Sequence, residues 1–291
     1  MASLKEVRGR IASVTSTRKI TSAMKMVSAS KLRRAQDAIA NYLPYQQKLT
    51  KVLEDFIASS TDDLSIPLAQ QREVKRLAIV AISSNSSLCG GFNSNVIKKT
   101  DEVLGRYATL PAKDILVYPI GKKIAESFKK KGYTPQGDFI SLAEKPNYDA
   151  IGAIADELIN LFITKQIDCV ELVYNHFKNP AIQQITYEMF LPMIPSATDS
   201  KDKHITTDYI LEPDKSYLVN QLVPKVMRLR LYSALLDSIA AEHGARTTAM
   251  QTATDNAQDL IQELKLKYNK ARQEAITNEI LDIVGGAEGL K

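Results

Sequence analysis

Leu4, Val7, Ile11, Val14, Arg18, Thr21, Lys25, Ser28, Leu32, Ala35, Ile39, Tyr42, Gln46, Leu49, Leu53 and Phe56 follow one another at alternating steps of three and four residues. Eleven of these sixteen positions are apolar, and the four in the middle, Arg18 to Ser28, are polar. In that middle stretch Ile20, Met24 and Val27 sit one step off the seam. A heptad pattern sustained this long predicts a coiled-coil helix. Ser3 and Glu6 have the spacing of a capping box at its start. Pro44 lies inside the pattern, but the spacing continues in phase beyond it, so a kink is expected there rather than an end. Unbroken, such a helix spans roughly 80 Å.

The C-terminal part has the same habit. From Leu222 a ladder runs through Val226, Leu229, Ser233, Leu236, Ala240, His243, Thr247, Met250, Thr254, Ala257, Ile261, Leu264, Tyr268, Ala271 and Ala275. Many rungs are small or polar, which allows close backbone approach but buries little area. Gly285-Gly286 is the expected stop. A helix from about Lys215 to Val284 would span roughly 105 Å, against ~12 residues for an average helix. Two such seams cannot be hidden inside a globule of this size, so the two helices are expected to wind on each other, antiparallel.

The middle of the chain alternates strands with helices. Leu77–Ser83, Ile115–Ile120, Cys169–Tyr174 and Gln184–Phe190 read as strands. Residues 93–107, 121–131 and 148–162 read as helices. This order predicts an α/β, Rossmann-like domain with a mainly parallel sheet. The expected division is 1–57 for the first coiled-coil helix, 58–213 for the α/β domain and 214–291 for the second helix.

Composition narrows the functional classes. Of 291 residues 44% are hydrophobic and 24% charged, with only 12 Gly and 11 Pro, which argues against disorder and collagen. The longest apolar run, Leu77–Ile82, is far short of the ~20 residues of a spanning helix. The charged start, Met-Ala-Ser-Leu-Lys-Glu-Val-Arg, does not resemble an export signal. Cys89 and Cys169 stand 80 residues apart, and His176, His204 and His243 are scattered, so neither a disulfide framework nor a metal site is expected.

Charge is segregated. Residues 1–57 hold eleven basic and four acidic side chains, a net +7, against +5 for the whole chain. Six basic residues and no acid lie between Arg18 and Arg34. An acidic partner is expected for this belt, with a merely solvated face as the plain alternative. Nucleic acid fits less well, because the belt has no aromatic side chain to stack on bases.

Candidate chemistry is sparse. Leu88-Cys89-Gly90-Gly91 follows a strand as a nucleophile elbow or phosphate loop would, yet no phosphate-loop motif is present and no His is near Cys89 in sequence. A structural turn is the favoured reading. Gly121-Lys122-Lys123 opens a helix and is a weak candidate for anion binding. Asp255/Asp259 and Glu274/Glu279 fit a solvated helix face as well as acid–base work. No catalytic, cofactor or metal site is expected.

Several blocks are nonetheless recognisable. Lys5-Glu6-Val7-Arg8, Arg10-Ile11-Ala12-Ser13-Val14 and Thr17-Arg18-Lys19-Ile20-Thr21-Ser22-Ala23-Met24-Lys25-Met26-Val27 resemble the N-terminal helix of the γ subunits of F-type ATP synthases. Ala253-Thr254-Asp255-Asn256-Ala257, Tyr268-Asn269-Lys270-Ala271-Arg272-Gln273, Ile276-Thr277-Asn278-Glu279-Ile280 and Gly286-Ala287 resemble the C-terminal helix. Leu88-Cys89-Gly90-Gly91 and Glu212-Pro213-Asp214 also fit, and the resemblance covers the whole chain.

The resemblance implies a non-catalytic rotor. Its coiled coil would pass along the axis of an α3β3 hexamer, and its α/β domain would meet the ε subunit and the proton-driven c-ring. One copy would serve each complex, without a cofactor of its own, at the cytoplasmic face of a bacterial inner membrane. It implies contacts with β at Met24, Lys25, Cys89, Arg246, Gln273, Thr277 and Glu279, and a foot on the c-ring or ε at Tyr209 and Glu212. The sequence departs from the family at Asn85-Ser86-Ser87, where relatives often carry an acid and a base, and at Leu211, where some carry a second foot tyrosine. The rival reading is a stand-alone α/β enzyme or metabolite-binding protein with a coiled-coil oligomerisation arm.

Overall fold

The computed structural model describes residues 4–59, 67–193 and 215–288. Helix α1 (Leu4–Ser59) has 56 residues and α5 (Lys215–Glu288) has 74. Between them lie β1 (Leu77–Ile82), α2 (Phe92–Arg106), β2 (Ile115–Ile120), α3 (Lys122–Lys130), α4 (Tyr148–Ile163), β3 (Cys169–Asn179) and β4 (Ile182–Leu191). Helix α1 continues unbroken through Pro44. Helix α5 does not stop at Gly285-Gly286 as expected but continues to Glu288. A mid-helix glycine costs only ~1 kcal/mol, too little to end a long helix by itself. Ser3 of the expected capping box lies outside the described residues.

The chain forms two compact units, Met1–Ala29 with Arg246–Lys291, and Ser30–Ala245. In the first, the two helices pair antiparallel. The hydroxyls of Thr21 and Thr254 are 2.8 Å apart, and Arg18 donates to the Gln258 side-chain carbonyl. The seam read from the sequence is the buried stripe: Val7, Thr21 and Ser28 are buried, and Leu4, Ile11, Val14, Arg18 and Lys25 are half-buried. Facing them on α5 are Met250, Ala257, Ile261 and Leu264. Thr21 and Ser28 also return their hydroxyls to the carbonyls of Arg18 and Met24, which lets small polar side chains sit in a seam without orphaned donors.

The second unit is built around a four-stranded sheet in the order β2-β1-β3-β4. β1 pairs parallel with β2 and β3, and β3 turns back into antiparallel β4. Asn179 closes that hairpin by accepting the N–H groups of Ala181 and Ile182 at 3.0 and 2.8 Å. All six residues of β1 are buried because both faces of this central strand are covered, which is why it reads as an unbroken apolar run. Ala78, Val80 and Ile82 pack with α4 (Ile151, Leu158, Phe162), with α5 (Met227, Leu231, Leu235, Ile239) and with Leu32, Ala35 and Leu53 of α1. Leu77, Ile79 and Ala81 pack on α2 (Val96, Val103) and α3 (Ile124, Phe128).

Here too α1 and α5 are in contact: Tyr42 donates to the carbonyl of Leu229 at 2.9 Å, and its ring meets Tyr232 edge-on at 5.3 Å. Gly244 marks the close approach of α5 to β3, since a Cβ there would lie 2.9 Å from the Phe177 ring. Asp237 of α5 ties the same strand down by accepting the N–H of Phe177 at 2.9 Å and meeting His176 Nδ1 at 2.5 Å.

Candidate partner-contact surfaces

The turn after β1 satisfies itself. Asn93 Oδ1 accepts the Ser84 N–H and hydroxyl, both at 3.0 Å, and its amide nitrogen lies 3.2 Å from Cys89 Sγ. The Cys89 side chain points inward onto Phe92, Ala241 and Ala245 and is 1% exposed. Among the described residues the hydrogen-bond neighbours of its thiol are Ser84, Ser86 and Asn93, none of them a base. The large apolar residue that this turn presents to solvent is Leu88, held at φ 67° and 61% exposed. A left-handed leucine costs on the order of 1 kcal/mol, and sequence reasoning had passed over it in favour of the cysteine.

The anion site considered at Gly121-Lys122-Lys123 does not form. Lys122 N–H goes to Asn85 Oδ1 at 2.9 Å, Lys123 N–H to the Ser84 carbonyl at 3.2 Å, and Ile124 N–H to Ser83 Oγ at 3.0 Å. The first-turn donors of α3 are therefore spent on the β1 turn. Gly121, at φ 102°, permits this approach, because a Cβ would lie 2.2 Å from the Ser83 carbonyl oxygen. Asn85 also bridges α3 to the Ile140 carbonyl, which accepts its amide at 2.9 Å.

Around Met24 and Lys25, both half-buried, the exposed side chains are Lys19, Ile20, Met26 and Val27. Lys31, Arg33 and Arg34 are also exposed, and no ion pair neutralises them among the described residues. Arg246 is buried, while Gln273, Thr277 and Glu279 are exposed. From Arg272 to Val284 the α5 side chains are almost all exposed, including Ile276, Ile280, Leu281, Ile283 and Val284. Those apolar side chains escaped the sequence reading, which followed the ladder to Ala275 and stopped. Tyr209 and Glu212 lie outside the described residues.

Asp255 and Asp259 are exposed, and Asp255 is engaged by Gln251 at 2.7 Å. Among the described residues no cluster of His, Cys, Asp and Glu has the arrangement of a metal site. In a shallow groove along α4, Asp156 is taken by Arg228 at 2.6 Å and Glu157 by the Tyr118 hydroxyl at 2.8 Å. Glu171 on β3 is a buried carboxyl of the sheet core. Tyr107 donates to it at 3.0 Å, its second oxygen finds no hydrogen-bond partner, and burial pushes its pKa up. Burial likewise pushes the neighbouring Cys169 thiol up to about 12, so it stays a protonated core group.

Among the described residues, no helix is long and apolar enough to cross a membrane.

Comparison with known proteins gives a consistent result. A family model described as ATP synthase matches residues 3–290. An ATP synthase gamma chain from Bacteroides fragilis is 54% identical, with 99% of each chain covered. One from Phocaeicola vulgatus is 51% identical, again over 99% of each chain. Among solved structures, a chain of the Euglena gracilis mitochondrial ATP synthase OSCP/F1/c-ring assembly matches with a TM-score of 0.65 at 20% identity, covering 99% of this chain and 94% of that one. A chain of the central stalk/c-ring of the Tetrahymena thermophila mitochondrial enzyme matches at 0.56 and 22% identity, covering 80% and 99%.

Proposed function

Because the chain belongs to the ATP synthase gamma chain family, we propose that it is the central-stalk rotor of a proton-translocating F-type ATP synthase. It carries the rotation of the c-ring to three catalytic β subunits. The observation that carries this reading is a match over the whole length, joined to antiparallel pairing of α1 and α5 at Arg18–Gln258 and Thr21–Thr254. A rotor needs two wound helices because a single helix bends and twists too readily under torque.

The partners are an α3β3 hexamer, the ε subunit and the c-ring, with one copy of this chain in each complex. ATP chemistry belongs to β, so this chain needs no catalytic site, cofactor or metal. Its place at the cytoplasmic face of a bacterial inner membrane follows from the complex and not from an anchor of its own. Met24, Lys25, Cys89, Arg246, Gln273, Thr277 and Glu279 are proposed contacts to β, and Tyr209 and Glu212 form the proposed foot. Since Cys89 and Arg246 are buried in the chain by itself, they act by shaping the surface beside them, with Leu88 the exposed neighbour of Cys89. The exposed basic side chains Lys19, Lys31, Arg33 and Arg34 meet acidic loops on β. Each such exposed pair is worth about 0–1 kcal/mol, weak enough to break and re-form as the rotor turns.

The test is direct. With the α3β3 complex fixed to a surface and a bead attached to this chain, ATP should drive rotation in one direction, and native mass spectrometry should find one copy per three β. A complex that hydrolyses ATP at full rate while the bead stays still overturns the proposal.

A further inference from the structure

α2 and α3, on one face of the sheet, carry charge opposite to that of α4 on the other. From Phe92 to Lys131 there are nine basic and four acidic side chains, a net +5 that equals the charge of the entire chain. α4, on the other face, has Asp149, Asp156 and Glu157 and no Lys or Arg. α2 and α3 share one core on the same sheet face, so their basic residues form one surface.

The acids of that surface are already engaged. Lys99 holds Glu102 at 2.9 Å, Lys123 holds Glu126 at 3.3 Å, and Lys131 is paired with Asp101. The last contact brings the end of α3 against the middle of α2. Lys129 and Lys130 precede Lys131, and Lys98 lies one helical turn before Asp101 on the same side of α2. Lys98, Lys129 and Lys130 are exposed, and no ion pair is made by them among the described residues.

We propose that this face docks on a carboxylate-rich surface of a neighbouring protein subunit, through Lys98, Lys129 and Lys130. The proposal rests on the rotor reading, which supplies the neighbour. Lysines suit a solvated contact that tolerates small shifts of geometry, whereas a fixed bidentate contact would call for arginine. A lipid leaflet fits less well: no large apolar side chain is exposed between Asn93 and Asn147 to enter it, and exposed Asp101 and Glu102 would face its negative headgroups. Nucleic acid lacks an exposed aromatic platform on the same stretch.

The purified complex, treated with a zero-length carbodiimide and digested, should yield amide cross-links from these lysines to Asp or Glu of another subunit. Their yield should fall about tenfold when the reaction is run in 0.5 M NaCl, as exposed charge contacts are screened. In the complex carrying Lys129→Glu and Lys130→Glu, cross-linking through the remaining Lys98 should drop by about the same factor. Cross-links confined to Asp101, Glu102 and Glu126 of the same chain overturn the proposal. So does sedimentation of the complex with phosphatidylserine vesicles in the absence of any inter-subunit cross-link. A chain that never joins α and β sinks the rotor reading first, and with it the neighbour that this face requires.

Discussion

In the α/β domain β1 buries six apolar side chains out of six. In the helix pair of Met1–Ala29 with Arg246–Lys291, the buried stripe includes Thr21, Ser28 and Arg246 beside Val7, Met250, Ala257, Ile261 and Leu264. The sheet is held by apolar area removed from water on both faces. The helix pair is held by a narrow seam in which hydroxyls must also be satisfied, while most other side chains stay solvated. A domain of the first kind resists loss of any one side chain poorly but has stability in reserve. A seam of the second kind makes each contact cheap, and suits a surface that other subunits must grip.

The sharpest way to test that contrast is to open the sheet core. Phe162 is fully buried beneath the Arg72 guanidinium, which lies 4.3 Å from its ring centre. Phe162→Ala should cost about 3–5 kcal/mol, read as a lower urea midpoint for the sheet domain. A change below 1 kcal/mol would mean that this core is less tightly packed than its burial implies.

Glu171 gives the next largest effect, with a sign that depends on pH. Burial raises its pKa in the folded state above that of the unfolded carboxyl, with the Tyr107 hydrogen bond and Arg106 opposing. The folded state therefore holds the proton more tightly. Its stabilising contribution is complete below the unfolded value and is lost as pH rises through the folded one. Glu171→Gln keeps an acceptor for Tyr107 and cannot ionise. Its stability relative to the unmodified protein should improve with rising pH, by about 1 kcal/mol or more at neutral pH. A difference that stays flat from pH 4 to 8 would contradict this.

In the helix pair the changes should be smaller. Thr21→Val leaves the Thr254 hydroxyl its bond to the Met250 carbonyl at 2.7 Å, so only about 1 kcal/mol should be lost. The double change to valine at both positions should recover most of it, as a two-by-two thermal-melt cycle would show. Smallest of all, Ile280→Ala on the exposed end of α5 should alter the melt of the isolated chain by less than about 0.5 kcal/mol. A marked fall in torque from the same change in the assembled complex would place its value in partner contact.

What the sequence made legible follows the same division. The 3-4 spacing in α1 identified the inward stripe from Leu4 to Leu53, because a two-helix seam imposes a period that survives the substitution of polar for apolar residues. The strands were legible as apolar runs, though β3 proved longer than expected and ends at Asn179. Side-chain direction in the β1 turn was not legible, so Cys89 was singled out where Leu88 is the exposed residue. Nor was the filling of α3's first turn by Ser83, Ser84 and Asn85, since those contacts join residues some forty positions apart. The charge on α2 and α3 was present in the composition but acquired meaning only once one sheet face gathered both helices.

Proline placement carries a mechanical consequence. Pro44 lies inside α1 and Pro224 inside α5, and neither supplies an N–H to the carbonyl four residues before it. Tyr42 bonded to Leu229 sets the two prolines within about two turns of the same height along the paired helices. Elastic compliance is therefore concentrated at that level: flexing there sacrifices fewer backbone bonds than flexing anywhere else along either helix.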